Sequence, residues 1–239
     1  MEAYLYKDGG SRKFWVIDSE GTALVINYGK AGTIGCFQLR EFANPQECDK
    51  KKQELAAAKV RAGYGPMKDF DQNSRCYFDD PKYGLHPLTS HPKFRRHFND
   101  EIYYSSLKKE APFGTQEGSN VLSKIEESIR REKDFNFSGF PLKCVEKYWG
   151  IKYYPAEDAD PETVKRIVKE DETAMTRSDF VTYASAFAQI KISGRVDPDL
   201  KRRALRSLKR LSLAAKILEW RSGENIMSLD KMAQDLERF

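Results

Sequence analysis

Long apolar runs are missing from this 239-residue sequence. No stretch approaches the roughly 18 to 20 apolar residues that a membrane-spanning helix needs, so we expect no membrane association. The first residues, MEAYLY, lack the basic start and apolar core of a signal peptide. Together the two absences predict a cytoplasmic protein.

Cysteine and histidine, which often bind transition metals, are scarce, with four and three residues respectively. No cysteines form a C-x-x-C pair or have the spacing of a zinc ligand set, so we expect reduced thiols. His86, His91 and His97 are close in sequence but fit no ligand pattern, and two of them precede prolines. We interpret them as capping or loop residues and expect no metal and no cofactor.

Short catalytic motifs are also absent. The sequence has no G-x-S-x-G, Walker loop, H-E-x-x-H or G-x-G-x-x-G. Residues 113–118, FGTQEG, are glycine-rich but are read more simply as a loop that ends in a helix cap. We therefore expect that the chain is not an enzyme.

The first 65 residues combine strand-like and helix-like patterns. Aromatic and β-branched residues are dense at 4–6, 14–17 and 23–28, and a fourth candidate strand covers 36–42. Asn44-Pro45 then supplies an N-cap and a first-turn proline for a helix that ends at Gly63. The pattern predicts a small antiparallel β-sheet covered by one helix, in a domain over residues 1–65.

The remainder is predicted to be mainly helical. Residues 66–75 are polar, contain Gly-Pro and have no period, which predicts a linker before a helical domain over 76–239. Asp160-Pro161 and Asp197-Pro198 are strong helix starts, and Ser178 is a candidate N-cap for a helix over 180–190. The predicted fold class is α+β, an antiparallel sheet with one covering helix followed by a mainly α-helical domain.

A glycine-containing loop follows the third strand. Tyr28-Gly29-Lys30 ends that strand, AGTIG follows over 31–35, and the later helix ends in Gly63-Tyr64. This order and spacing resemble the WGR domain, a twisted antiparallel sheet with one helix, named for a Trp-Gly-Arg tripeptide at the end of a strand. Here tyrosine stands in place of the tryptophan and lysine in place of the arginine.

The resemblance implies contact with nucleic acid. In poly(ADP-ribose) polymerases the WGR domain touches DNA near a strand break, where the tryptophan packs on a terminal sugar and the arginine meets phosphate. Residue chemistry agrees in kind, because a tyrosine ring can stack on a sugar or base, glycine lets the backbone approach an anion, and lysine carries the charge without the bidentate fork. The candidate nucleic-acid-binding residues are Tyr28, Gly29, Lys30, Gly32, Lys13 and Arg40.

The same triplet also suits a plain β-hairpin, in which Tyr28 belongs to the core and Lys30 is solvated. Both interpretations stay open at the level of sequence.

Short phrases beyond residue 76 resemble bacterial proteins of the YfeS type, which pair a WGR-like segment with a helical domain of unknown function. The resemblance implies no activity. The segment also lacks an ADP-ribosyltransferase-like run of strands, so we expect no ADP-ribosylation. These phrases are YFDDP at 77–81, SHP at 90–92, APFG at 111–114 and EGS at 117–119.

Positive charge is concentrated near the end of the chain, although the whole chain carries only +5. Residues 191–221 hold ten Lys or Arg against three acids, which favours an anionic partner. An apolar stripe at 3.6-residue spacing starts at Leu200, and basic residues cover another face, although a core helix with a solvated outer face is the alternative. The predicted secondary basic face consists of Arg202, Arg206, Lys209 and Arg210.

Two functions remain at this point. The preferred one is a non-enzymatic accessory protein that binds nucleic acid, DNA rather than RNA, through the WGR-like domain. The alternative is a protein–protein interaction or partner-neutralising module with no nucleic-acid binding.

Overall fold

The computed structural model describes residues 1–109, 111–132, 134–157, 160–218 and 223–239. These residues form two compact units, Met1–Arg95 and Arg96–Phe239. The first unit contains an antiparallel sheet and a covering helix, and the second is mainly helical. The predicted α+β fold class is therefore confirmed.

The sheet has five antiparallel strands in the order β4-β3-β2-β1-β5. The four strands expected from the dense aromatic and β-branched residues are confirmed. A fifth strand of two residues pairs with β1, and its Gly-Pro sequence carries no strand signal. The strands are β1 Glu2–Asp8, β2 Ser11–Glu20, β3 Ala23–Lys30, β4 Cys36–Glu41 and β5 Gly65–Pro66.

Helix α1, Pro45–Arg61, starts at the predicted cap, where the Asn44 side chain accepts a hydrogen bond from the Glu47 N–H at 2.9 Å. It covers one face of the sheet, which we call the helix-side face. Cross-strand partners lie on the same face of a sheet, so this face can be followed beyond the helix through the strand register. Its buried core consists of Trp15, Ile17, Leu24, Ile26 and Cys48.

The opposite face of the sheet is covered by the segment that follows α1. The Arg75 guanidinium lies 4.3 Å from the Phe14 ring centroid and donates to Asn27 Oδ1 at 2.7 Å. The Tyr77 ring lies 5.8 Å from that of Phe37. Residues 66–75, predicted as a linker, thus contribute to the first compact unit, and the division between units falls after Arg95.

Strand β4 is one of the two edges of the sheet, and the Asp80 carboxylate binds one of its backbone N–H groups. Asp80 Oδ2 accepts a hydrogen bond from the backbone N–H of Leu39 at 2.6 Å. The other carboxylate oxygen accepts from the Lys82 N–H at 2.8 Å, and Asp80 is buried. The carboxylate thereby ties the segment around residue 80 to the edge of the sheet.

All three histidines make hydrogen bonds within the protein, two of them with a backbone N–H two residues further along the chain. His86 Nδ1 accepts from the Leu88 N–H at 3.0 Å, and His91 Nδ1 accepts from the Lys93 N–H at 3.1 Å. His97 Nε2 lies 2.7 Å from the Asp235 carbonyl oxygen. The predicted capping role is confirmed for His86 and His91, and His91 is fully buried. It is wrong for His97, which lies in the helix Pro92–His97 and contacts the last helix.

The helices beyond α1 follow the predicted starts in most places. Asp160 caps a long helix by accepting from the Glu162 and Thr163 N–H groups, and Asp197 accepts from Asp199 and Leu200. The helices are α2 Pro92–His97, α3 Gln116–Arg131, α4 Phe140–Leu142 with a π-helix over Lys143–Tyr148, α5 Pro161–Ser193, α6 Pro198–Leu218 and α7 Gly223–Arg238.

The expected helix start at Ser178 is wrong. Ser178 is buried inside α5, where its hydroxyl donates to the Ala174 carbonyl at 2.7 Å. The irregular residue is Asp171, with φ of −161°, and its carboxylate accepts from the Ala174 N–H at 2.9 Å.

Within the described ranges, no helix combines the length and the apolarity that a bilayer crossing demands.

Candidate nucleic-acid interface

Three of the predicted binding residues meet at one end of the helix-side face. In the strand register, Tyr28 is the partner of Trp15, and Lys30 is the partner of Lys13. Because Trp15 belongs to the helix-side core, both pairs lie on that face. The Tyr28 ring is 44% exposed, so the interpretation of Tyr28 as a core residue is wrong. Lys30 and Lys13 are exposed as well.

The loop after Lys30 is held in one shape by a buried amide and a short turn. The Asn27 side chain donates to the carbonyl oxygens of Ile34 at 3.0 Å and Cys36 at 3.2 Å. The Thr33 backbone N–H and hydroxyl both bond to the Lys30 carbonyl, at 3.1 Å and 2.8 Å. These hydrogen bonds fix the loop that follows β3, the strand that ends with Tyr28 and Lys30.

Gly29 lies in close contact with Gly35 and Phe14, whereas the sequence predicted that it would leave the backbone open to an anion. A Cβ added to Gly29 would lie 2.9 Å from Gly35 Cα and 3.3 Å from the Phe14 ring. Gly35 has a φ of +77°, and a Cβ there would lie 2.6 Å from the Tyr28 carbonyl oxygen. Space for a close approach exists instead at Gly32, where φ is +88° and an added Cβ would have no atom within 4 Å outside the neighbouring residues.

The lysine pair carries positive charge that no neighbouring acid balances. Lys13 and Lys30 stand directly opposite each other on adjacent strands. Like charges in that position are destabilising. Among the residues that the structure describes, neither ammonium has a carboxylate within 4.0 Å. A bound anion would relieve this repulsion.

The helix-side face also presents aromatic rings that the sequence reasoning missed. Tyr6 is the cross-strand partner of Lys13 on β1, and its ring lies 5.3 Å from that of Tyr64. Lys59 Nζ lies 4.9 Å from the Tyr64 centroid and 5.6 Å from that of Trp15. The hydrogen bond from the Tyr6 hydroxyl to Asp8 raises the pKa of Tyr6, so this ring stays neutral. Tyr6 could have been found only from the pairing of β1 with β2, which sets it opposite Lys13.

We call this region the sheet-end surface. It consists of Tyr28, Lys30, Lys13, Tyr6, Lys59 and Tyr64. Arg40 shares the helix-side face but lies further along it, opposite Leu24. Its guanidinium donates to Gln38 Oε1 at 3.2 Å. The structure thus brings Tyr28, Lys30 and Lys13 together and places Arg40 apart from them.

The predicted secondary basic face on α6 is wrong in one residue. Arg210 is fully buried, and its guanidinium donates to both carboxylate oxygens of Asp179 at 2.8 Å. It also donates to the carbonyls of Tyr154 at 2.6 Å and Pro155 at 2.9 Å. Helical periodicity explains its position, because Arg210 stands three residues after buried Ser207 and four before buried Ala214.

The other residues of that face are exposed. Arg202 is paired with Asp199, whereas Arg206 and Lys209 have no carboxylate within 4.0 Å among the described residues. The exposed charge on α6 is therefore smaller than its sequence indicates.

Over the described parts of the chain, no group of three or more His, Cys, Asp or Glu is placed to hold a metal ion.

The sheet, its covering helix and the loop after Lys30 are the features that define a WGR domain. Residues 1–71 match the WGR domain family, which confirms the resemblance carried by the glycine loop and by Gly63-Tyr64. The WGR domain occupies the first compact unit.

The whole chain has a close relative. Over 236 residues, covering 99% of this chain and 97% of the relative, it is 42% identical to the uncharacterized protein YfeS of Escherichia coli (strain K12). The chain therefore belongs to the YfeS family of WGR-domain proteins. Protein YehF of the same organism is 36% identical over 64 residues, which are 27% of this chain and 23% of YehF.

A solved structure from Bacteroides fragilis shares 26% identity with this chain. The match covers 43% of this chain and 30% of the B. fragilis chain, with a TM-score of 0.28.

Proposed function

We propose that this protein is a non-enzymatic accessory protein that binds nucleic acid, DNA in preference to RNA, through its sheet-end surface. The proposal rests on one observation. An exposed tyrosine ring stands beside two opposed lysines that no described carboxylate balances, at the position where the family places its naming tripeptide.

The lysine pair suits a phosphate. Two ammonium groups on adjacent strands would attract an anion between them, and each phosphate they neutralise would release condensed counterions. Lysine meets phosphate as a point charge and does not form the planar fork of arginine. We therefore expect binding with a strong dependence on salt and modest dependence on the orientation of the phosphate.

The exposed ring suits a sugar or an unstacked base. Tyr28 and the neighbouring rings of Tyr6 and Tyr64 share the helix-side face. Stacking of a base on an aromatic side chain is worth about 1–3 kcal/mol and tolerates any base sequence. The ring would therefore favour nucleic acid with an accessible end or an unpaired base.

The two replacements in the tripeptide favour a second candidate, a module that binds another protein. Tyrosine and lysine are less suited than tryptophan and arginine to the family's contact with DNA. Salt separates the two candidates, because DNA binding weakens steeply as salt rises, whereas an apolar protein interface responds little.

The test is fluorescence anisotropy of labelled duplex DNA with free ends, repeated with closed circular DNA as competitor and at salt concentrations between about 50 and 200 mM. Lys30→Ala should weaken binding and reduce the salt dependence by about one phosphate. Tyr28→Ala should cost about 1–3 kcal/mol of binding with little change in salt dependence. Lys30→Arg should bind at least as tightly as the parent, because a guanidinium can hold phosphate through two hydrogen bonds.

Matched controls lie in the same unit, outside the sheet-end surface. Tyr83 is 41% exposed and Lys68 is exposed, so Tyr83→Ala and Lys68→Ala remove a similar ring and a similar charge. Thermal unfolding establishes that each variant is folded. If folded Lys30→Ala and Tyr28→Ala proteins bind both DNA forms as the parent does, the sheet-end surface is not the binding site.

A further inference from the structure

A cavity in the second unit remains outside this proposal. Its volume is about 380 Å³, which falls within the roughly 300–1,000 Å³ of small-molecule sites. It is lined by Gln116, Glu117, Asn120, Trp149 and Arg177.

Three secondary-structure elements hold the lining residues. Thr115 caps α3 by accepting from the Gly118 N–H at 3.0 Å, which places Gln116 and Glu117 in the first turn and Asn120 one turn later. Arg177 stands on α5, and Trp149 directly follows the π-helix. The site is therefore built on ordered helices and on the residue that ends one of them.

The charged lining residues neutralise each other. Arg177 Nε lies 3.4 Å from Glu117 Oε1. A cavity that pairs its only described cation with a carboxylate offers little net attraction to a phosphate. This favours a ligand without a net charge at the part that enters the cavity.

The remaining groups suit a flat, polar ligand. Gln116 and Asn120 are four residues apart, so both amides lie on one side of α3. Each amide can donate and accept hydrogen bonds. Gln116 and Asn120 are exposed, and within the described part of the chain neither amide bonds to another protein group. Trp149 adds an aromatic ring, and it is half-buried.

We propose that this cavity binds a single nucleobase, supplied either by a nucleoside or by an unpaired base of a strand. Proteins recognise such bases by stacking them on aromatic side chains and by hydrogen bonds to their edges. Trp149 would supply the stacking, and the amides of Gln116 and Asn120 would bond to the edge. The strand as a source rests on the proposed function, whereas the nucleoside does not.

The first experiment measures binding of adenosine, guanosine, cytidine and thymidine to the full chain by saturation-transfer NMR and calorimetry, with glucose as a comparison. We expect at least one nucleoside to bind and glucose not to bind. Trp149→Leu should lower the affinity for the nucleoside about tenfold. Trp149→Phe keeps a ring and should lower this affinity less. No nucleoside binding, or glucose binding of equal strength, overturns the proposal.

A matched control tests whether the effect belongs to the cavity. Tyr148 is the neighbouring residue, its ring is 43% exposed, and it does not line the cavity. Tyr148→Leu should leave nucleoside binding unchanged. If Tyr148→Leu weakens binding as much as Trp149→Leu does, the ligand binds elsewhere and the assignment is overturned. Circular dichroism verifies that the variants fold.

The ion pair gives a second, independent test. Glu117→Gln keeps the shape of the side chain and removes the charge that neutralises Arg177. We expect this variant to bind a nucleoside 5′-monophosphate severalfold more tightly than the parent does, with a smaller change for the nucleoside. An unchanged ratio of the two affinities would overturn the role given to the ion pair.

A short single-stranded oligonucleotide distinguishes the two sources of the base. If it displaces the nucleoside from the parent, a strand can supply the base, and if it does not, the ligand is a small molecule. Failure of nucleoside binding while the sheet-end surface still binds DNA overturns this inference alone. Loss of DNA binding at the sheet-end surface while nucleosides still bind overturns the proposed function alone.

Discussion

The sheet-end surface and the basic stretch of α6 both contain cations, but folding arranges these cations differently. Lys13 and Lys30 are two cations in separate parts of the sequence, and folding places them opposite each other, with no carboxylate within 4.0 Å of either ammonium among the described residues. Helix α6 has several cations in succession, yet Arg210 is buried on Asp179 and Arg202 is paired with Asp199.

This difference separates charge in a sequence from charge on a surface. A run of basic residues on one helix covers both its exposed and its buried sides, so part of the charge is neutralised inside the protein. Two isolated lysines become a concentrated site only when strand register joins them. Experiments on these two regions test the contrast, and a pH experiment on the buried histidines supplies a smaller effect for comparison.

The largest effect is expected at the buried arginine. Arg210→Met leaves the Asp179 carboxylate buried without its partner, which should lower the free energy of unfolding by about 3–5 kcal/mol. Denaturant titration measures this. Combining Arg210→Met with Asp179→Leu should recover much of the loss, because no buried charge remains. A single variant as stable as the parent would contradict a structural role for Arg210.

A smaller loss of stability is expected in the loop of the sheet-end surface. Gly35→Ala should lower the free energy of unfolding by about 2–4 kcal/mol, because a left-handed backbone costs about 1–2 kcal/mol and the Cβ would meet the Tyr28 carbonyl at 2.6 Å. Gly32→Ala has open space around it and should lose only about 1–2 kcal/mol. Equal losses in thermal unfolding would show that backbone conformation alone matters.

Binding experiments compare the two basic regions directly. The double variant Arg206→Ala with Lys209→Ala removes two exposed cations from α6, and Lys30→Ala removes one from the sheet-end surface. We expect the α6 variant to change DNA affinity and its salt dependence less than Lys30→Ala does, measured by anisotropy. The reverse order would make α6 the main site and would end the distinction between the two regions.

The smallest effect concerns pH. Burial lowers the pKa of His86 and of His91 below the usual value of 6.5. The folded state therefore resists protonation more than the unfolded state does, so stability is fully present above pH 6.5 and falls as the pH decreases through that range. We expect a lower Tm at pH 5.5 than at pH 7.5.

An asparagine at position 86 isolates the histidine's part of this effect. His86 Nδ1 accepts the capping hydrogen bond from the Leu88 N–H, and asparagine can accept it too without titrating. His86→Asn should therefore show a smaller decrease in Tm between the two pH values. An unchanged decrease would assign the pH dependence to other groups.

Much of the fold follows from local signals. The four expected strands, the Asn44-Pro45 cap and the caps at Asp160 and Asp197 each depend on a few adjacent residues, and the structure confirms them. Ser178 failed as a cap because the helical segment starts earlier, after the irregular residue Asp171, and packing buries Ser178 inside it, where its hydroxyl donates to the Ala174 carbonyl. Serine favours a cap only when the preceding residues leave the helix.

The candidate site was predictable to a smaller extent. Tyr28 and Lys30 stand two residues apart on one strand, so alternation alone places them on one face. The adjacency of Lys13 and of Tyr6 depends on strand register, and Tyr64 arrives from the end of a helix. Arg210 was wrongly predicted to be exposed, because a basic residue next to the apolar stripe can be buried when it forms an ion pair with an acid on another helix.

Asp80 has a consequence for molecules in solution. A free strand at the edge of a sheet offers backbone groups to any other extended chain and can start aggregation. The Asp80 carboxylate occupies the Leu39 N–H on strand β4, so an incoming strand would have to displace a buried charged hydrogen bond before pairing there. One side chain from outside the sheet thus hinders growth of the sheet from copy to copy at the β4 edge.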